Sequence, residues 1–275
     1  MPPFWPRIEA DNVRANPDTG LRRWILRAAS IAVCLLAWQA ASTYRADFGF
    51  ITFANVPPPS EVAQAAVELA QSSKALSHIT SSLRRVLIGF SIAAVLGVVL
   101  GLAIGRSRRV GDVLLPPLEL LRPIPAVAWI PLAVLMFPSS EGSMIYITFI
   151  GALFPILLST IHGVEHVDPR LIASARSLGG TPFAILREVI LPGAAPAIVT
   201  GLAIGMGTSW FCLVTAEMIS GQFGIGYHTW ESYIIQRYPD IIVGMVVIGI
   251  LGMGSSFLLR EIGRLLTPWH SEDGR

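Results

Sequence analysis

Of the chain's 275 residues, 53% are hydrophobic and only 14% are charged, and the mean hydropathy is +0.61. This composition excludes an ordinary soluble domain and points to a membrane protein. A net charge of +2, with the basic residues dispersed, speaks against a nucleic-acid partner.

In chain order, residues 1–23 read as a loosely ordered polar tail. Residues 24–43 form a first apolar run, interrupted by Arg27, whose stem can reach the near interface. A cleaved signal peptide is the rival reading there. The run of about 20 residues is long enough to cross a bilayer, which favours a retained span. Residues 44–78 form an external connection with a short amphipathic helix after Pro57-Pro58-Pro59, carrying Val62, Ala65, Ala66 and Leu69 on one side.

A membrane-spanning core is expected over residues 79–264. Its second span, 86–105, carries no charge. Gly89, Ala93, Gly97, Gly101 and Gly105 recur there at every fourth position. Such a seam lets another helix approach backbone to backbone, and it favours a homodimer. Residues 111–137 are apolar but rich in proline, which predicts a kinked span with its freed carbonyls facing protein or water. Glu119 and Arg122 on it stand three apart, either as a packed ion pair or as part of a pathway. The next span, 142–164, has Pro155 near its middle.

Residues 165–192 then read as two short helices. Asp168 caps the first with Pro169 at its first position, and Leu171, Ile172, Ala175 and Leu178 form one apolar side before Gly179-Gly180 stops it. Thr181-Pro182 starts the second, with Phe183, Leu186 and Ile190 on its apolar side and Leu191-Pro192 as its break. The fifth span covers 194–216 and carries Ser209, Trp210 and Thr215, with Glu217 at its outer end. Glu217 either bonds the aromatic-rich loop 217–240 or shapes an outer gate. The loop reads as an interfacial aromatic belt or as a re-entrant hairpin. The sixth span is 241–259, and residues 265–275 form a short tail.

Thirteen basic residues lie in the N-terminal tail, the 106–109 turn, the elbow formed by the two short helices of 165–192 and the C-terminus, against three (Arg45, Lys74, Arg237) in the opposite connections. The positive-inside rule therefore predicts cytoplasmic termini and a cytoplasmic elbow. The five histidines are scattered, and Cys34 and Cys212 fall inside apolar runs as small packing groups. No cofactor, metal or catalytic set is predicted. Lys74 is the only lysine and follows Ser72-Ser73, so the Gly-Lys-Ser/Thr of a phosphate-binding loop is missing from the sequence. If ATP drives this chain, another chain binds it.

The elbow resembles the "EAA" loop of ATP-binding-cassette importer permeases. The matching positions are Ala173-Ser174-Ala175, Gly179 after three intervening residues, Val189, and Leu191-Pro192. The motif's leading Glu is Ala173 and its first Ala is Ser174. The stretches PPPSEVAQAAVEL, HITSSLRRVLIGF, LRPIPAVAWIPLAVLMF and LVTAEMISGQFGIGY are similar to the nitrate/sulfonate/taurine/bicarbonate branch of that family.

The resemblance implies an all-α, six-span type I importer fold in a bacterial inner membrane, with the elbow as coupling helix for cytoplasmic ATPases. It also implies a second permease subunit and an external solute-binding protein, with a small anion as solute. The competing reading is a stand-alone secondary transporter or channel coupled through Glu119 or Glu217.

Overall fold

A computed structural model describes residues 17–269. The tail before residue 17, with Arg7 and Arg14, lies outside the described residues, as do His270 and Arg275. The described residues are helical, with one isolated antiparallel bridge between Asp47 and Thr52. The chain divides into two compact units, residues 1–63 and 64–275.

In the first unit, α1 (Pro17–Thr43) contains the first apolar run. A turn with Arg45 and Gly49 at positive φ leads on to α2 (Pro59–Gln71). The side chain of Gln39 ties α1 to the start of α2, accepting from the Ser60 N–H and donating to its hydroxyl, each at 3.3 Å.

The second unit is a bundle built on α3 (Ser73–Arg106), α6 (Ser140–Glu165) and α9 (Leu191–Ser220). Helix α3 begins 13 residues before the expected span, at a Ser72 cap whose hydroxyl accepts from the Lys74 N–H. The polar stretch from Ser73 to Arg85 stays helical, and Arg84 and Arg85 at its end find partners, as described below. The glycine seam is used inside the chain. A Cβ at Gly97 would sit 2.9 Å from Ile156, and one at Gly101 would sit 2.6 Å from Thr160, both on α6. The small residues therefore let α3 and α6 pack at backbone distance, and they no longer argue for a second copy. Around them Val86, Phe90, Met144, Ile147, Ile156 and Leu213 form the buried core.

Pro155 leaves the Gly151 carbonyl without its helical donor. The Thr208 hydroxyl of α9 supplies one at 2.8 Å, which keeps that backbone oxygen paired inside the membrane.

The proline-rich segment is more sharply broken than a kinked span. Helix α4 (Arg108–Leu121) and α5 (Ile130–Met136), joined through a 3-10 turn at Ala126–Trp129, meet at 83°. Pro123 and Pro125 remove two donors and disfavour helix in the residues before them. Among the described residues five helices are long and apolar enough to cross a membrane, and this bent pair makes up to six.

Two expectations fail at the polar connections. Leu191-Pro192 does not end the second elbow helix: α8 (Pro182–Ile185) passes through a π turn at Leu186–Ile190 straight into α9, as one run to Ser220. The Leu191 N–H bonds to the Leu186 carbonyl, and this wider turn carries the chain into Pro192 without breaking it. Loop 217–240 is also mostly helix. It holds the end of α9, then α10 (Ile225–Ile234), and α11 (Tyr238–Leu266) begins inside it.

Candidate functional site

Two places concentrate chemistry. The first is the elbow. Asp168 accepts from the Arg170 N–H at 2.8 Å and starts α7 (Pro169–Ser177) with Pro169 in its first turn. Gly179 adopts φ +82, and the Gly180 N–H returns to the Ala175 carbonyl at 2.9 Å, a closed helix end that a β-carbon would strain. The Thr181 hydroxyl then accepts from the Ala184 N–H and starts α8. Both helix starts are therefore capped by side chains, so the bend is fixed by local bonds.

The predicted apolar side of the elbow is split between two jobs. Ile172 and Ala175 pack on Val164, Ile185, Ile190 and Ala194, which anchors α7 to the bundle. Leu171 (58% exposed), Leu178 (88%) and Phe183 (69%) point away from it. Helical spacing alone assigns all of α7's apolar residues to one face. The tight turn at Gly179 instead leaves the Leu178 end outside the packed seam. Ala173 and Ser174 are exposed as well.

The second place is a charge cluster where α3, α6, α9 and α10 meet. Glu217 is fully buried, and its carboxylate accepts from the Ser82 hydroxyl at 2.8 Å, Arg85 Nη1 at 2.8 Å and the Gly226 N–H at 2.9 Å. Arg85 is 2% exposed, donates also to the Phe223 carbonyl at 2.5 Å, and grips Glu141 on α6 through Nε and Nη2. Glu141 takes a second cation, Arg84, at 2.7 Å. The Ser82 hydroxyl accepts from the Ile225 N–H at 2.9 Å. Nδ1 of His78 lies 3.1 Å from both backbone polar atoms of Gly224.

Every charge in this cluster is paired, and the pairs fasten the turn between α9 and α10 to two other helices. Gly224 sits at φ +136, and a Cβ there would fall on the Glu217 carboxylate. The aromatic-rich stretch is thus tied down through backbone N–H and C=O groups. Glu217 meets that stretch at the Gly226 N–H.

The other candidate pathway residues do not assemble into one site. Glu119 and Arg122 are exposed and make no ion pair among the described residues. Arg122, the C-cap of α4, keeps its N–H on the Leu118 carbonyl, so the two share a helix end without pairing. Ser209 is buried and donates to the Thr148 carbonyl at 3.4 Å, Trp210 donates to the Ser255 hydroxyl at 2.9 Å, and Thr215 bonds back to the Phe211 carbonyl. Among the described residues no cluster of His, Cys, Asp and Glu is arranged to hold a metal ion.

Sequence reasoning missed Ser82, Arg84, Arg85 and Glu141. The signal was present: two adjacent arginines at the head of a membrane run require either water or buried acids.

A helical bundle of five or six spans, with a rigid polar elbow projecting from it, is the architecture of a transport permease. The chain belongs to the family of binding-protein-dependent transport system inner membrane components, whose pattern it matches over residues 93–271.

It is 33% identical to the taurine transport system permease protein of Escherichia coli, over 91% of this chain and 92% of that one. It is 35% identical to the nitrate import permease protein of Synechocystis, over 88% of each chain. An aliphatic sulfonates transport permease of Escherichia coli, described as putative, is 34% identical over 92% and 95%. These similarities place the chain in the nitrate/sulfonate/taurine branch, as a multi-pass permease subunit of an ATP-binding-cassette importer. Such a subunit works with ATPase and solute-binding protein components. The reading as a stand-alone transporter is not favoured.

Proposed function

We propose that this permease subunit forms half of the pathway for a small anion of the sulfonate, taurine or nitrate type, delivered by an external binding protein. The names of its relatives support the solute class. The sequence lacks the Gly-Lys-Ser/Thr of a phosphate-binding loop, and separate cytoplasmic ATPases supply the energy. Both termini and the elbow face the cytoplasm. The arginine asymmetry supports this orientation even after Arg84 and Arg85 are counted with the opposite end, close to the start of α3. A second copy of the chain completes the pathway, as the symmetry habit of oligomers favours.

The observation that carries the coupling role is the elbow itself. It is a bend locked by two caps and a Gly179 turn, presenting Leu171, Leu178 and Phe183 outward. An exposed apolar triad on a rigid polar elbow fits a groove in a soluble partner. Asp168, Pro169, Gly179 and Thr181 set its shape. Ala173 offers a small surface where the family motif places a Glu, and Ser174 one where it places an Ala, so contact here rests on apolar packing. The ATPase then drives transport only if its grip on the elbow differs between its nucleotide states. The Glu217–Arg85 cluster acts as a fixed clasp at the other end, since its acceptors are occupied by protein donors.

The test is reconstitution of the complete complex in vesicles. Leu178→Asp should leave the chain folded and the ATPase active while ATP-driven uptake falls at least tenfold. Wild-type uptake by this variant would remove the coupling role from the elbow.

A further inference from the structure

We propose that the groove between the arginine-bearing end of α11 and the first half of α9 binds an anionic phospholipid. The groove has a volume of about 440 Å³ and a two-part lining. Val199, Ala203 and Ile204 of α9 give it an apolar wall, and Arg260 and Arg264 of α11 stand at its rim. The two helices close behind it at Gly263, where a β-carbon would run into Val199.

Depth selects the ligand. The uncharged run of α11 spans Ile241–Leu259, 19 residues, or roughly 28 Å of helix, close to the thickness of a hydrocarbon core. Arg260 therefore stands at the level of lipid phosphates, with Arg264 one turn beyond and the apolar wall running back towards the acyl chains. Arg264 shares its charge with Glu261 at 2.7 Å, whereas Arg260 makes no ion pair among the described residues. Nearby Thr200 and Thr267 direct their hydroxyl protons to the Pro196 and Gly263 carbonyls, so the guanidinium groups are the side-chain donors offered to a phosphate.

A free anion would use the arginines and leave the wall unused. A second copy seated here across a twofold axis would bring like charges together. A phosphate carrying acyl chains fits both halves, and basic pockets between spans suit anionic headgroups.

The proposal is tested on the intact transport complex by native mass spectrometry, titrated with phosphatidylglycerol, phosphatidylcholine or the water-soluble headgroup glycerophosphoglycerol. Phosphatidylglycerol should be retained in preference to phosphatidylcholine. Its apparent affinity should fall roughly 10- to 30-fold in R260Q/R264Q, the loss expected for two basic contacts. Ala203→Phe, which fills the groove and keeps both arginines, should weaken it as well, and Glu261→Gln should strengthen it. Equal retention of phosphatidylcholine would overturn the proposal. So would retention indifferent to both R260Q/R264Q and Ala203→Phe, displacement by the soluble headgroup, or a disulfide between two copies of Ile204→Cys. None of these readouts depends on uptake, so they stand apart from the coupling role of the elbow.

Discussion

Arg85→Met is the most informative single change in the charge cluster. It leaves the Glu217 carboxylate in a fully buried position with only Ser82 and the Gly226 N–H as donors. It also removes the donor to the Phe223 carbonyl and most of the grip on Glu141. Removing one partner of a buried pair costs roughly 3–5 kcal/mol. For a chain of this size that amounts to a fall in melting temperature of roughly 6–20 °C, at about 2–4 °C per kcal/mol.

Glu217→Gln should cost less, since the amide oxygen still accepts from Ser82 or Gly226 and Arg85 keeps Glu141. The double variant should melt well above the sum of the two singles, because its methionine no longer faces an unpaired carboxylate. The assay is thermal unfolding of the purified complex followed by fluorescence-detected size exclusion, with all four members of the cycle. An Arg85→Met chain melting within about 2 °C of wild type, or strict additivity in the cycle, would refute a tightly coupled clasp.

The remaining predictions address the elbow, the seam and the proline. Gly179→Val places a β-branched residue at φ +82 and should reduce uptake more than ATP hydrolysis in reconstituted vesicles; equal loss of both would point to misfolding. Gly101→Leu drives side-chain atoms into Thr160 and the Leu157 carbonyl, so it should lower the yield of folded chain; folded monomers in normal yield would restore the seam to an interface between copies. Thr208→Val strips the donor from the Gly151 carbonyl and should cost about 1 kcal/mol. In a Pro155→Ala background that cost should vanish, because a helical N–H then reaches the same oxygen, and melting temperatures of the four variants decide it.

What could be read in advance follows from the range of each interaction. Helix starts such as Asp168-Pro169 and Thr181-Pro182 are local, set by residues two or three apart, and they stand where the sequence places them. Apolar runs are equally local, so the main spans are legible while their ends are not. Helix α3 begins at Ser73 because Arg85 meets Glu217, 132 positions later in the chain, and no periodicity encodes that meeting. The same holds for the glycine seam: spacing shows that something approaches closely, but only the fold shows that α6 is the something. Leu178 fails differently. It sits on the right helical face, but the turn at Gly179 removes the wall it would have packed on.

These two sites are joined by one continuous element. The run from Pro182 through α8 and the π turn into α9 reaches Ser220, 39 residues in all, or roughly 58 Å of helix at 1.5 Å per residue. Its first turn belongs to the elbow and its last turn carries Glu217. A bundle helix fixed by the buried core around Met206, Trp210 and Leu213 bends little along its length. The places where it can yield are the π turn, whose hydrogen bond spans five residues, and Pro196 just beyond it, which lacks a donor to the preceding turn. Both lie next to the elbow, far from the clasp. A displacement applied at Leu178 is therefore either absorbed within the first turns of α9 or transmitted to the Glu217 end as a rigid movement. The Arg85–Glu217 bonds then set how much force that end withstands before the α9–α10 turn lets go.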